Sequence, residues 1–190
     1  MLLLTLRGTP TLYYGDELGM RMSQIPAHRI RDPLEFNVPG LGLGRDGSRS
    51  PMPWNDDPYA GFSTTEPWCP LIDDWPLTNV LRLDADPSSM LSLHRSLLQL
   101  RKQNSALVAG SYEPLAATGD ILLYVRRDAT SGVLVALNFG ARPEAIELPE
   151  FSGRILISTH SDRRGEIADA GIFMRAHEGL VILEIKPSQT

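Results

Sequence analysis

The sequence predicts an α+β fold in which a loop-rich first half and one long helix precede an antiparallel β-sandwich. Eleven of the fifteen prolines lie between Pro10 and Pro87. Since proline fixes φ and removes a backbone donor, residues 25–76 are expected to be mainly loop. A stripe of apolar residues at helical spacing then predicts the helix. The remaining residues form short aliphatic runs separated by Gly, Asp and Pro, a pattern typical of antiparallel strands.

The first residues predict a step from helix to strand. Met1–Arg7 is apolar enough to be the last turns of a buried helix, which the sequence Gly-Thr-Pro at 8–10 would end. Thr11–Tyr14 is then expected to be a short buried strand, with Asp16 and Glu17 just beyond its carboxyl end. A strand that follows an apolar helix through such a turn is typical of α/β folds.

The long helix is expected at Pro87–Asn104. Asp86 is a suitable N-cap, and Pro87 suits the first helical position because its missing N–H would have no partner there. Arg101 and Lys102 lie in the last turn, where cations suit the negative end of the helix dipole. The residues that recur on one helical face are Met90, Leu93, Leu97 and Leu100.

The runs that follow this helix are expected to be strands. Residues such as Gly119 and Gly132 supply turns between them, because glycine tolerates positive φ. Six or seven short strands of this kind form an antiparallel sandwich, with alternating residues buried between two sheets. The expected strands are Tyr112–Ala116, Ile121–Arg127, Val133–Phe139, Ala145–Leu148, Arg154–Ser158, Ile172–Met174 and Leu180–Lys186.

Composition and charge exclude several classes of function. The chain has 190 residues, a net charge of −5 and 42% hydrophobic residues, so it resembles an ordinary globular protein and has no basic surface for nucleic acid. Its longest apolar runs are too short to cross a membrane. Cys69 is the sole cysteine, which excludes an internal disulfide and fits a reducing compartment. Because the amino terminus lacks a secretory signal pattern, the chain is expected to be cytoplasmic.

One run concentrates residue types that suit a carbohydrate. Residues 41–54 read LGLGRDGSRSPMPW, so Arg45, Asp46 and Arg49 lie together between glycines and prolines. Guanidinium groups and a carboxylate held on stiff backbone can form hydrogen bonds with neutral hydroxyls. Aromatic residues in the same half offer flat apolar faces for sugar rings. They are Trp54, Tyr59, Phe62, Trp68 and Trp75.

The same run resembles the signature RDxxRxPMxW of the α-glucosidase and oligo-1,6-glucosidase branch of glycoside hydrolase family 13. Three further runs are similar to that family in the same order. RGTPTLYYGDELGM at 7–20 is similar to its eighth barrel strand, SLHRSLLQLR at 92–101 to its last barrel helix, and LVALNF at 134–139 to its C-terminal β-domain. The resemblance implies the last strand and helix of a (β/α)8 barrel over residues 1–107, and an antiparallel β-sandwich domain over residues 108–190.

The resemblance also implies a function for a longer enzyme, a retaining α-glucosidase acting on short α-linked glucosides. The family's aspartate nucleophile, glutamate acid/base and second aspartate belong to motifs that this sequence lacks. No residue is therefore assigned as catalytic, and the chain alone is expected to be inactive. The family places the 45–54 loop beside outer sugar subsites, which implies that Arg45 and Arg49 bind substrate. The alternative is that they brace the loop through ion pairs with Asp46 or Asp32.

Other candidate groups have weaker patterns. The two carboxyl groups of a retaining glycosidase lie about 5–5.5 Å apart on either side of the scissile bond. Asp16 and Glu17 are adjacent in sequence, and a structural role at the rim is expected for them. The histidines lack the spacing of metal ligands, so neither a metal nor a cofactor is expected. They are His28, His94, His160 and His177.

Several interpretations stay open on sequence grounds. The expected partners are the missing amino-terminal barrel segment and, through the parent enzyme, an α-linked oligosaccharide. The chain could instead be a non-catalytic carbohydrate-binding module, or one half of a split enzyme. Within the family, sucrose isomerases, trehalose synthases and glucosyltransferases share similar terminal motifs. These residues do not distinguish hydrolysis from transfer, and they do not determine linkage preference, upstream calcium binding or oligomeric state.

Overall fold

The computed structural model describes residues 1–185 in two compact units. One unit joins residues 1–11 to the chain from Leu93 onward, and the other spans Leu12–Ser92. The expected domain boundary between residues 107 and 108 stays a prediction, and it does not coincide with these units. Within residues 1–185, no helix combines the length and the apolar character needed to cross a membrane.

The described chain has five α-helices, of which four are short and the fourth is long. The helix expected at the amino terminus is confirmed, although it has four residues. The third and fifth helices were not anticipated. They begin where the side-chain carbonyls of Asn79 and Asn104 accept hydrogen bonds from the backbone N–H groups of Arg82 and Ala106. The helices are α1 Leu2–Thr5, α2 Pro33–Asn37, α3 Val80–Ala85, α4 Met90–Gln103 and α5 Ser105–Ala109.

The long helix α4 begins three residues later than expected, so the predicted N-cap is wrong. The hydroxyl of Ser89 accepts a hydrogen bond from the Ser92 N–H at 3.1 Å. The carboxylate of Asp86 instead accepts from the Ser88 N–H at 2.8 Å and closes the preceding turn. A serine hydroxyl and an aspartate carboxylate both cap well, and here they do so in two successive turns.

No strand forms at Thr11–Tyr14, so this expectation is also wrong. The Tyr13 N–H donates to the Asp16 carboxylate at 3.0 Å, and a 3-10 turn follows at Asp16–Leu18. A parallel strand needs a neighbour to accept its N–H groups, and within the described chain no strand pairs with this segment. The large side chains here are 41–51% exposed; they belong to Leu12, Tyr13 and Tyr14.

The region from 25 to 76 is mainly loop, as predicted, and α2 is its one α-helix among the described residues. The Asp32 carboxylate caps α2 by accepting from the Leu34 N–H at 3.1 Å, and Pro33 occupies the first helical position. The rest turns through 3-10 segments at Ala27–Arg29, Asp46–Arg49 and Pro58–Gly61.

The β-domain is one antiparallel sheet of six strands in the order β1-β2-β3-β6-β4-β5. The sequence predicts seven strands, but Ala145–Leu148 and Arg154–Ser158 are two parts of one long strand. β5 pairs with both parts across a register shift between Glu147 and Ser152. Lys186, expected in the last strand, lies outside the described residues. The strands are β1 Glu113–Thr118, β2 Ile121–Arg127, β3 Gly132–Asn138, β4 Glu144–Ser158, β5 Ile167–Met174 and β6 Gly179–Glu184.

Alternating residues of the sheet supply two apolar cores. Along β3, Val133, Val135 and Leu137 belong to the first core, and the intervening Leu134 and Ala136 belong to the second. The first core also contains residues of α1, α4 and α5, so these helices cover one face of the sheet. Its helical members are Leu4, Leu93, Leu97, Ala106 and Leu107.

The second core consists of β-domain residues alone among those described. Leu134 and Ile182 are fully buried there, although no helix of the described chain contributes a residue to this core. We infer that the sheet curls so that its two halves enclose the core between them. The antiparallel β-domain is therefore confirmed, and its six strands are hydrogen-bonded as one sheet.

Both edge strands of the sheet are irregular. In β1 the register with β2 shifts between Pro114 and Ala116, and Pro114 has no N–H to donate. In β5, Ala170 takes a positive φ of 53°. The edges are therefore less regular than the central strand β3.

Candidate functional site

Two buried carboxylates hold residues 45–54, here called the arginine loop. Oδ2 of Asp46 accepts from the N–H groups of Arg31 and Asp32, both at 2.7 Å, and Oδ1 accepts from Nη1 of Arg49 at 2.9 Å. Burial opposes ionisation of Asp46. The two backbone donors and then Arg49 outweigh it and lower the pKa of this carboxyl below its usual value. Asp46 is thus an ionised anchor at the start of the loop.

Asp32 and Arg45 form a bidentate ion pair. Oδ2 of Asp32 accepts from Nε of Arg45 at 2.7 Å and Oδ1 accepts from Nη2 at 2.9 Å, while the Arg45 N–H also donates to Oδ2 at 2.8 Å. The Arg45 guanidinium and then the Leu34 N–H hold the pKa of Asp32 well below its usual range. The same pair raises the pKa of Arg45. Arg45 therefore makes the ion pair that the bracing hypothesis names, and its contact with substrate stays a prediction.

Arg49 retains more donors for a ligand. Its Nη1 donates to Asp46 and lies 3.8 Å from Oδ2 of Asp32. Its Nε and Nη2 donate to no acceptor among residues 1–185. The side chain is 41% exposed. Both predicted substrate-binding residues are held by carboxylates, but Arg49 uses only Nη1 for this, whereas Arg45 uses Nε and Nη2.

Hydroxyl and thiol groups form further hydrogen bonds with the arginine loop. The Ser50 hydroxyl donates to Ser23 Oγ at 2.7 Å, and the Tyr14 hydroxyl donates to the Ser50 carbonyl at 3.0 Å. The Cys69 thiol donates to the Asp46 carbonyl at 3.4 Å. Burial raises the pKa of this thiol, which favours its uncharged and less nucleophilic form.

The tryptophans differ in how much of their surface a ligand can reach. Trp54 is 50% exposed, whereas Trp68 is 37% exposed and has the Arg31 guanidinium over one face, 4.6 Å from the ring centroid. This cation–π contact covers one face of the Trp68 ring. Trp75 is half-buried. Trp54 is therefore the best placed of the three for stacking on a sugar.

Strained backbone fixes the position of Trp54. Tyr59 and Ala60 take positive φ values of 54° and 56°, a region that costs non-glycine residues free energy. The carbonyl of the fully buried Ala60 accepts the Trp54 N–H at 2.8 Å. Strain of this kind is concentrated at functional sites in proteins.

Asp16 and Glu17, the adjacent acidic residues, accept hydrogen bonds from the backbone of the turn in which they lie. The Asp16 carboxylate accepts the Tyr13 N–H at 3.0 Å, and the Glu17 carboxylate accepts the Gly15 N–H at 2.9 Å. Gly15 itself takes a φ of 91°, in the left-handed region that favours glycine. Both carboxylates therefore stabilise local backbone, which is the structural role expected for them.

Sequence reasoning missed two parts of this site. Glu35 joins the ends of the 40–44 segment by accepting from the N–H groups of Gly40 and Gly44 at 3.1 and 3.0 Å, and no motif marks this contact. The Asp32-Pro33 pair is a recognisable N-cap signature and could have predicted α2. Among the described residues, no three His, Cys, Asp or Glu side chains are grouped to hold a metal.

Comparison with known proteins identifies the class to which this fold and loop belong. The family model for the α-amylase catalytic domain matches residues 1–110. The chain therefore belongs to the α-amylase family, glycoside hydrolase family 13, as its motifs predict. A solved trehalulose synthase from Pseudomonas mesoacidophila MX-45 covers 97% of this chain with a TM-score of 0.85 and 27% identity. The end of a barrel followed by an antiparallel β-domain is thus confirmed as the fold class.

Several curated relatives that are similar to this chain are named as glucosidases. A glucan 1,6-α-glucosidase from Streptococcus pneumoniae is 34% identical over 155 residues, which are 73% of this chain and 29% of the relative. An oligo-1,6-glucosidase from Bacillus cereus is 31% identical over 199 residues, which are 93% of this chain and 35% of the relative. The chain thus spans about a third of the length of the curated relatives it matches, and 37% of the trehalulose synthase.

Proposed function

We propose that this chain is the carboxyl-terminal part of a retaining α-glucosidase-type glycoside hydrolase that acts on short α-glucosides. The observation that carries the proposal is the arginine loop, whose Arg49 is fixed by Asp46 yet keeps Nε and Nη2 for a ligand. Family membership and the glucosidase relatives support the same function. The proposal includes a division into a barrel part over residues 1–107 and a β-domain over 108–190.

The chemistry in such an enzyme requires two carboxyl groups. One attacks the anomeric carbon, and the other protonates the leaving oxygen and then activates water. The proposal assigns neither group to this chain. The arginine loop would instead orient the sugar, because planar guanidinium groups donate along fixed directions to hydroxyl oxygens. Arg49 would donate to substrate, while Arg45 and its bidentate carboxylate partner Asp32 would keep the loop in place.

Activity of the chain alone and in a completed enzyme tests the proposal. The isolated chain should not hydrolyse 4-nitrophenyl α-glucoside, and co-expression with the remaining barrel segment of the enzyme should produce hydrolysis. Enzyme-like turnover by the isolated chain that is lost on mutating one of its own carboxylates would refute the proposal. Tight binding of maltodextrin by the isolated chain would instead favour a carbohydrate-binding module.

Substitution of Arg49 in the active enzyme tests its role in binding. We expect Arg49→Gln to raise KM about 10- to 150-fold, because losing one hydrogen bond from a charged donor weakens binding by about 1.5–3 kcal/mol. Arg164→Gln removes the same charge from an exposed side chain in the β-domain and should leave KM unchanged. Equal effects of both substitutions would show that Arg49 acts only through net charge.

A second candidate is glucosyl transfer to a sugar hydroxyl, as in sucrose isomerisation. The observation that favours it is the likeness to the trehalulose synthase over 97% of this chain. Product analysis of the active enzyme with sucrose distinguishes the two functions. A hydrolase would release glucose and fructose in equal amounts, whereas an isomerase would form a disaccharide of unchanged mass.

A further inference from the structure

Three arginines lie in or beside the segment that leads from α1 to Pro10. One of them, Arg126, is completely buried. Arg126, on β2, donates from Nη1 to the Thr5 carbonyl at 2.7 Å, from Nε to Ser111 at 2.8 Å and from Nη2 to Gly110 at 3.1 Å. All three acceptors are backbone carbonyls. This guanidinium has 0% exposure, and among the described residues no carboxylate is paired with it.

Arg101, in the last turn of α4, has the same kind of surroundings. Its Nη1 donates to the carbonyls of Leu4 and Leu6 at 2.9 and 3.3 Å, and its Nη2 donates to the Gly8 carbonyl at 2.5 Å. These bonds leave Nε unused. Within residues 1–185, no ion pair joins Arg101 to an acidic side chain. A second positive charge thus lies next to the same segment without a counter-charge.

Arg7 supplies the third positive charge. It is exposed and makes neither a hydrogen bond nor an ion pair within the described chain. The two positive charges of Arg101 and Arg7 act on Arg126, whose pKa is lowered first by burial and then by each of them. The local excess of positive charge is notable in a chain whose net charge is −5.

An open cavity of 450 Å³ lies between two of these arginines. Arg7 and Arg101 line it together with Gly8, Thr9 and Pro10, and a wall formed by residues 108–109 completes it. None of the described lining residues is acidic. Gly8 has a φ of 111° and nothing within 4 Å of the position that a Cβ would take, so its backbone is open to the cavity.

We propose that this cavity binds an oxyanion of the phosphate class, held between the guanidinium groups of Arg7 and Arg101. Guanidinium groups match the geometry of phosphate oxygens and bind them through charge-assisted hydrogen bonds. Thr9 also lines the cavity, and its hydroxyl is a candidate third donor. The anion would supply the counter-charge that these arginines lack. The cavity has room for a phosphate that is free or carried on a small organic group.

Calorimetric titration of the 190-residue chain with inorganic phosphate tests the proposal. The titration is made at constant ionic strength with chloride as the balancing anion, because screening by salt weakens exposed charge pairs. We expect saturable binding of one phosphate per chain, and we expect Arg7→Gln to weaken it about tenfold or more. Glycerol 2-phosphate is titrated in parallel. Tighter binding of this ester would identify an organic phosphate as the ligand, and tighter binding of inorganic phosphate would identify the free ion.

Arg154→Gln is the matched control, because Arg154 is an exposed arginine on β4 that does not line the cavity. It should bind phosphate as the unmodified chain does. Arg7 has no partner to lose, so Arg7→Gln should keep the circular dichroism spectrum of the parent. The proposal is overturned if the folded parent shows no saturable phosphate binding, if Arg7→Gln binds as tightly as the parent, or if Arg154→Gln weakens binding as much as Arg7→Gln does.

Discussion

The two units of the molecule are stabilised in different ways. Among the described residues, twenty buried hydrophobic side chains belong to the unit that contains the sheet, and five belong to the unit Leu12–Ser92. The large exposed hydrophobic side chains are distributed in the opposite way, with fifteen in Leu12–Ser92 and eight in the sheet unit. The five buried ones in the loop-rich unit are Leu18, Ala60, Cys69, Ile72 and Leu91.

Different interactions therefore stabilise the two units. The sheet unit has apolar cores on both faces of its strands, and burial of apolar surface dominates its stability. The loop-rich unit depends on ionised carboxylates such as Asp32 and Asp46, which bind backbone N–H groups and arginines. Its many exposed apolar side chains fit the proposal that further parts of a longer enzyme cover them.

The largest effect is expected in the second core of the sheet. Leu134→Ala removes a fully buried side chain and should lower the free energy of unfolding by about 2–5 kcal/mol, measured by urea denaturation. Ile182→Val deletes one buried methylene and should cost about 0.5–1.5 kcal/mol. A loss below about 1 kcal/mol for Leu134→Ala would show that this face is less tightly packed than the sheet's curl implies.

An intermediate effect is expected at Glu178, a buried carboxylate immediately before β6. It accepts from Nη2 of Arg175 at 2.6 Å, from Nη1 of Arg163 at 3.0 Å and from the Ser158 hydroxyl at 3.1 Å. Glu178→Gln should destabilise the sheet unit by about 1.5–3 kcal/mol at pH 7, the range for hydrogen bonds to charged groups. Glu144→Gln, at an exposed position with no such contacts, should have little effect.

The contribution of Glu178 should also depend on pH. Burial opposes its ionisation, but Arg175 and Arg163 outweigh burial and lower its pKa. Because the folded-state pKa lies below the unfolded value of about 4.3, the stabilisation is complete above that pH and is lost as the pH falls. The stability difference between parent and Glu178→Gln should therefore shrink from pH 7 to pH 3. A difference that stays constant would contradict the ionised state of this group.

A smaller and more local effect is expected in the arginine loop. Asp46→Ala removes the acceptor of the Arg31 and Asp32 N–H groups, which should cost about 1–3 kcal/mol locally. Hydrogen exchange followed by mass spectrometry should show faster exchange around residues 31–50 and unchanged exchange in β3. Asp73→Ala, at an exposed position, is the control. Equal acceleration in β3 would mean that the two units unfold together.

Prediction from sequence succeeded where periodic burial determines structure. The apolar stripe of α4 and the alternation along β2 and β3 are set by the face that each side chain buries, and these elements were found within a few residues. It failed where a single polar contact decides between alternatives. The Asp16 carboxylate binds the Tyr13 N–H in place of the expected strand, and Ser89 caps α4 in place of Asp86.

The candidate site was predictable in composition but not in its contacts. The run at 45–54 and its similarity to a known signature identified Arg45 and Arg49 as the residues to examine. The sequence left open which arginine pairs with which carboxylate, because Asp32 is thirteen residues from Arg45 and a loop can return at many distances. Only the folded chain shows that Arg45 binds its carboxylate in a bidentate way while Arg49 uses a single nitrogen.

The irregular edges of the sheet have a consequence for the behaviour of the protein at high concentration. A regular edge strand is a template onto which another chain can add by backbone hydrogen bonding. Here one edge is interrupted at Pro114 and the other at Ala170, where the backbone turns to positive φ. Neither edge offers a long row of aligned donors and acceptors, so strand-by-strand growth into fibrils is disfavoured without any loss of the apolar interior.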